Sequence, residues 1–338
     1  MAAQEYSQRL GALSQAQFQA ALDRFDLGAF VRAEPIPWGL FGQNVFLTST
    51  RGEYVLRGAP HYAWQFPKER FFTRLLHQGT PVPVPWPYLL EPSDELFGWS
   101  YAIMPRLPGL QLGAREAREG LSAQDKVGIA RAMGETLAHA HTLTWPYAGE
   151  YDLETEGIRP LDVPFDAWVI WRLRSLLGEA IPLSDRTTEA DVAWVEELIA
   201  EGREALAIPL EASFVMQDYK EGNAVALRQD GVWRISGLFD LMEPYFGDGE
   251  ADLSRSVAVY AEEDLELARA FVRAYVTGAR RYGRPLRPGF AARFPIYMLL
   301  DRLIIWQYGQ RHGVWWAPSL TLREWAGPLT RCLFLDRR

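Results

Sequence analysis

The 338-residue sequence predicts an α+β fold in two lobes: a small β-rich N-lobe over residues 1–104 and a larger, mainly helical C-lobe over residues 110–338. Three observations carry that expectation. Up to Met104, most apolar residues alternate with polar ones in short runs separated by Gly and Pro, which is the period of strands. Pro105–Gly109 (PRLPG) then interrupts the chain and reads as a hinge at 105–109. Beyond it the apolar spacing lengthens to that of helices over several long segments.

The elements follow in order. Ser14 to Leu27 places Phe18, Leu22 and Phe25 on one side of a helix. Ala29 to Pro35 reads as a strand, and Trp38 to Asn44 (WGLFGQN) as a Gly-containing loop. Val45 to Thr50 and Glu53 to Arg57 alternate around the turn Arg51-Gly52 and predict a hairpin. Phe66 to Gln78 is helical and stops at Gly79. The Pro-rich run Pro81 to Pro87 excludes helix, and strands are expected at Tyr88 to Glu91 and Ser100 to Met104. In the second lobe Ser122, with Asp125 three residues on, caps a helix running to Thr142. Further helices are expected over Phe165–Leu177, Glu189–Leu206, Leu265–Tyr282 and Phe290–Tyr308. Ser213–Met216, Ala224–Arg228 and Trp233–Phe239 read as the strands of one small sheet.

Composition narrows the function classes. Hydrophobic residues are 48% and charged residues 23%, an ordinary globular balance. A net charge of -8 and a pI near 5.3 argue against nucleic acid as a partner. The single cysteine, Cys332, excludes an internal disulfide, and the opening MAAQEYSQRL has no apolar signal region, so the expected compartment is the cytoplasm. No run reaches the roughly 18 apolar residues of a membrane helix. Phe294–Ile305, the most apolar piece, carries Asp301 and Arg302 and reads as a buried helix. The partner expected is therefore a small molecule, not nucleic acid or a membrane.

The stretch FVMQDYKEGNAVAL, Phe214 to Leu227, gathers Asp218, Lys220 and Asn223 between two strand-like segments. Asp240 follows at the end of the apolar strand ISGLF. Phosphoryl transfer from ATP asks for such a set. A carboxylate must orient and accept the proton of an attacking hydroxyl, hard oxygen ligands must hold Mg²⁺, and backbone N–H groups of a Gly-containing turn must cover the phosphates. The spacing D-x-x-x-x-N before a strand-end Asp is the kinase arrangement. Asp218 takes the base position, and Asn223 and Asp240 the two metal positions. Gly39 and Gly42, ahead of the hairpin, are expected over the phosphates.

QDYKEGN followed by ISGLFDLMEPYFGDGEADLSR resembles the signature of the aminoglycoside phosphotransferase and choline kinase-like family, whose fold is protein-kinase-like. EYVLRGAP is similar to that family's nucleotide-contacting strand, FPKERFFTRLL to its next helix, YAIMPRLPG to its hinge strand and LAHAHTL to its Leu-His helix. The likeness runs over roughly residues 30 to 285 in the family's order. It implies an ATP- and Mg²⁺-dependent kinase acting on a small-molecule hydroxyl. It also implies that Arg57, positioned by Glu69, contacts phosphate, and that the backbone around Met104 meets the adenine edge. Lys220 resembles a protein-kinase lysine that meets the transferring phosphate. The acceptors implied are an aminoglycoside-like amino sugar, choline, homoserine, another sugar or a macrolide. The sequence departs from the family at Met216-Gln217, where His-Gly is usual, and at Arg57, where Lys is common. Those departures carry the alternative reading, a catalytically impaired nucleotide-binding or interaction protein of the same fold.

Other conspicuous residues have plainer explanations. His139 and His141 point about 200° apart on a helix and cannot share a metal. Asp252 reads as the N-cap of a helix starting at Leu253, and Asp248 as a structural loop residue. The Trp residues near the C-terminus read mainly as core.

Overall fold

Alternation decides the first half of the fold. Strand Asn44–Ser49 buries Val45, Leu47 and Ser49 and leaves the residues between them partly exposed. One face is thus committed to the core, and a one-residue slip would turn Val45 and Leu47 outward. Its neighbours are Phe30–Pro35 and Gly52–Gly58, and the antiparallel sheet continues through Tyr101–Pro105 to Leu89–Glu91. Helix Gln15–Arg24 starts at Ser14, which forms a reciprocal capping box with Gln17. Its Phe18 and Leu22 are fully buried with Leu47, Leu56 and Ile103, each worth roughly 1.5–3 kcal/mol of apolar burial. The computed structural model describes residues 4–36, 42–314 and 319–334, apart from the side chains of Arg115 and Phe334.

The chain divides into two compact units. The first comprises residues up to Leu121 with Tyr151–Gly157 and Glu221–Glu243, and the second comprises Ser122–Glu150, Ile158–Lys220 and the chain from Pro244 onward. Pro105–Gly109, the expected hinge, lies inside the first unit. The reason is strand pairing. Leu110–Gln111 pairs with Ala226 and Val225, which adds the hairpin Ala224–Gln229/Val232–Leu238 to this unit as a three-stranded sheet. Gly109 makes the approach feasible: it has φ +133°, and a Cβ there would stand 2.7 Å from the Ala226 carbonyl oxygen.

The three later strands therefore do not share one sheet. Ser213–Val215 belongs to the second unit and pairs antiparallel with Tyr245–Gly247, a strand the alternation does not predict. Between it and Ala224 the chain turns through Gln217 at φ +69°, which ends one sheet before the other begins. Helices Ala123–Ala140, Phe165–Ala180, Glu189–Leu206, Leu253–Glu263, Leu265–Arg281, Phe290–His312 and Leu322–Thr330 make up most of the rest of this unit. Phe290–His312 is buried on nearly all sides, Asp301 and Arg302 included, as its apolar sequence requires. Trp306, 4% exposed, donates its indole N–H to Thr187 at 3.0 Å and packs on Trp325 in the same core. Trp315 and Trp316 fall outside the described residues.

Candidate active site

The first unit contains a cavity built by three of its parts. The hairpin supplies Phe46, Val55 and Arg57, and the segment from Met104 to Leu107 supplies one edge. The third part, from Gly222 to Asp240, supplies Asn223, Val225, Phe239 and Asp240. Apolar side chains from opposite strands thus leave a space suited to a flat ring. The partner strand Leu89–Glu91 pairs with Tyr101–Ile103 only, so its cover stops before Met104. That places the edge expected around Met104 at Met104 and the residues after it. Arg106 adds a guanidinium 3.9 Å from the Phe46 ring centre. Gly42 lines the cavity at φ +59°, and a Cβ there would lie 3.0 Å from that of Ser7. Gly39 lies outside the described residues.

Arg57 organises the charges of this cavity. The strand register sets it opposite Asn44 and Ala102, and it is only 7% exposed. Its guanidinium meets Glu69 at 3.1 Å and Asp240 at 2.7 Å. Glu69 sits on the buried stripe of helix Gln65–Gly79, between Phe66 and Phe72. A carboxylate there needs partners, and it has three: Arg57, the Tyr88 hydroxyl at 2.8 Å and the Leu241 amide at 3.2 Å. Burial alone would depress the Arg57 pKa, but the carboxylates of Glu69 and Asp240 outweigh it and hold the value above that of a free arginine. Burial pushes the Glu69 carboxyl up, and Arg57 pulls against it. Asp240 has φ +67°, a strained conformation that an Asp tolerates better than most residues.

The second unit holds Asp218 and Lys220. The Lys220 ammonium spans both Asp218 carboxylate oxygens, at 2.9 and 2.6 Å. Arg255 reaches the same carboxylate at 3.1 Å and Asp301 at 2.9 Å, and Asp301 is bound in turn by Arg302 at 2.6 Å. The loop before Asp218 is fixed by Asp252, whose two oxygens accept the amides of Met216 and Gln217 at 2.6 and 2.7 Å. This corrects the reading of Asp252 as a helix cap: its side chain makes no capping bond. Ser256 donates to the Tyr219 carbonyl at 2.7 Å, and the Tyr219 hydroxyl to the Met133 carbonyl at 2.8 Å.

The sequence model of the phosphotransferase enzyme family matches residues 32–286. The chain belongs to that family. A homoserine kinase of Burkholderia mallei is 40% identical over 104 residues, which cover 29% of this chain and 30% of that protein. The match thus spans less than a third of the curated relative. Among solved structures, a thermostable mutant of aminoglycoside phosphotransferase APH(4)-Ia in complex with ADP and hygromycin B superposes with a TM-score of 0.66 at 17% identity, covering 94% of this chain and 98% of that one. The choline kinase LicA of Streptococcus pneumoniae superposes with a TM-score of 0.58 at 13% identity, covering 94% and 98%. The fold is the α+β, protein-kinase-like one that the sequence predicts.

Within this family frame, the structure gathers Gly42, Arg57, Met104, Asn223 and Asp240 around one cavity, with Glu69 behind Arg57. Asp218 and Lys220 sit together in the other unit. From the sequence, Tyr88 reads only as the start of a strand and Asp252 as a helix cap, and Arg255 has no assigned role. Tyr88 directly follows the Pro-rich run Pro81–Pro87, and nothing in the strand expected there marks its hydroxyl as a partner of Glu69. Asp252 and Arg255 stand in DLSR, inside the matched signature, where a buried Asp beside an Arg was the available clue. Glu243, three residues past Asp240, is exposed.

Proposed function

We propose that the protein is an ATP- and Mg²⁺-dependent kinase that phosphorylates a hydroxyl of a small molecule. One observation supports this above the others: Asn223 and Asp240, picked out by kinase spacing, and Arg57, implied by the family resemblance, line one cavity with the apolar walls and strand edge an adenine nucleotide needs. Asn223 and Asp240 offer one amide oxygen and one carboxylate, the sparse hard-oxygen set that Mg²⁺ accepts when phosphates complete its shell. Among the described residues no group of three or more His, Cys, Asp or Glu could hold a metal ion. When bound, Mg²⁺ neutralises phosphate charge.

In this reading Asp218 orients the acceptor hydroxyl and takes its proton. Arg255 and Lys220 hold the carboxylate in place, and Lys220 meets the transferring phosphate in exchange for its contact with Asp218. Arg57, kept charged by Glu69, neutralises phosphate. The single cysteine suits a reducing, cytoplasmic setting. Among the described residues no helix is long and apolar enough to cross a membrane.

The alternative, a nucleotide-binding protein with impaired catalysis, is favoured by one contact: Arg57 already occupies an Asp240 oxygen at 2.7 Å. ADP release measured with ATP against amino sugars, choline, homoserine and macrolides separates the two. Acceptor-dependent release that Asp218→Asn reduces by about 10²–10⁴-fold is the expected result. Nucleotide binding with no release for any acceptor class favours the impaired protein.

A further inference from the structure

A second cavity of the first unit, of about 400 Å³, lies against helix Gln65–Gly79. Its walls are the rings of Phe71, Trp86, Tyr88 and Tyr151, with Arg70 and Arg74 beside them. Phe71 and Tyr151 have ring centres 5.3 Å apart. The Arg74 guanidinium lies 5.6 Å from the Phe71 ring centre, and among the described residues Arg74 makes no ion pair. The one carboxylate in the lining, Glu156, stands 3.5 Å from Arg70. The cavity is therefore aromatic and net cationic in a chain whose net charge is -8. Rings favour a flat apolar group, and an unpaired guanidinium favours a carboxylate.

Tyr88 joins this cavity to the other one. It is 3% exposed, its ring forms part of the wall, and its hydroxyl donates to Glu69 at 2.8 Å. Glu69 in turn holds Arg57 at 3.1 Å. A ligand that shifts the Tyr88 ring therefore alters the hydrogen bonding of the carboxylate that fixes Arg57.

We propose that this cavity is a regulatory site for a small aromatic carboxylate, relayed through Tyr88 and Glu69 to Arg57. Its effect on nucleotide rests on the function proposed above, but the site and the relay are testable without nucleotide. The full chain is titrated calorimetrically with indole-3-acetate and with neutral 3-methylindole. Saturable binding of the acid is expected, weaker by about tenfold for 3-methylindole and for the exposed-site variant Arg74→Ala. The Arg57 Nε–H resonance, assigned with Arg57→Lys, is expected to move when the acid is added to the wild type and to stay fixed in Tyr88→Phe. No saturable binding, equal affinity for 3-methylindole, unchanged affinity in Arg74→Ala, or an Arg57 signal that ignores the acid would each overturn the proposal.

Discussion

Arg57 carries a charge that the fold cannot leave unpaired. Replacing it by Met strands Glu69 in the core and should lower stability by about 3 kcal/mol in urea unfolding, whereas Arg57→Met with Glu69→Met should recover much of the loss. Asp252 makes a parallel case. Asp252→Ala leaves two amides, those of Met216 and Gln217, without acceptors, at about 1–3 kcal/mol each. Gln217 is the opposite kind of site. At φ +69° a glycine is unstrained, and Gln217→Gly should raise stability by about 0.5–1 kcal/mol. This left-handed backbone suits the glycine that the resemblance of QDYKEGN would imply here. The pairing of Arg57 with Glu69 was readable from two motif fragments. The third partner, Tyr88, was not, because a hydroxyl's reach across a Pro-rich turn leaves no pattern in the sequence.

At the scale of elements, helices Ala123–Ala140 and Leu265–Arg281 make the most extensive contact in the second unit. Two glycines permit it. A Cβ on Gly134 would stand 2.3 Å from the Phe271 carbonyl oxygen, and one on Gly278 would stand 2.8 Å from the Ala138 Cβ. Gly134→Ala should therefore destabilise by about 1–3 kcal/mol. Gly178, in helix Phe165–Ala180, has nothing near its Cβ position, so Gly178→Ala should stabilise by about 0.5–1 kcal/mol. Thermal unfolding of the two variants checks both signs. The same helix pair contains His139, hydrogen-bonded to Tyr282 at 2.8 Å, and burial lowers its pKa below 6.5. The unfolded chain then takes up the proton first, so stability falls as pH drops through that value, and His139→Gln should flatten the slope. Long helices with regular apolar spacing were legible in the sequence, Glu189–Leu206 to the residue. Short strands such as Leu110–Gln111 and Tyr245–Gly247 were not. They exist because partners distant in sequence pair with them, and local propensity carries no trace of that.

For the whole molecule, the division into units follows strand pairing more closely than chain order. The chain passes from the second unit to the first at Lys220–Glu221, between the proposed base Asp218 and the proposed metal ligand Asn223. The five-residue spacing that marks a kinase in the sequence thus contains one of the five points at which the chain passes between the two units. The acceptor is not legible at this scale either, because no short motif in the sequence specifies it. Calorimetric titration of ATP with and without Mg²⁺, on the wild type and on Asp240→Ala, tests the central claim most directly. The account predicts metal-dependent binding to the wild type, weakened by about tenfold or more in the variant, with the metal dependence gone. Failure of the wild type to bind either ATP or GTP, with the metal present or absent, would contradict it.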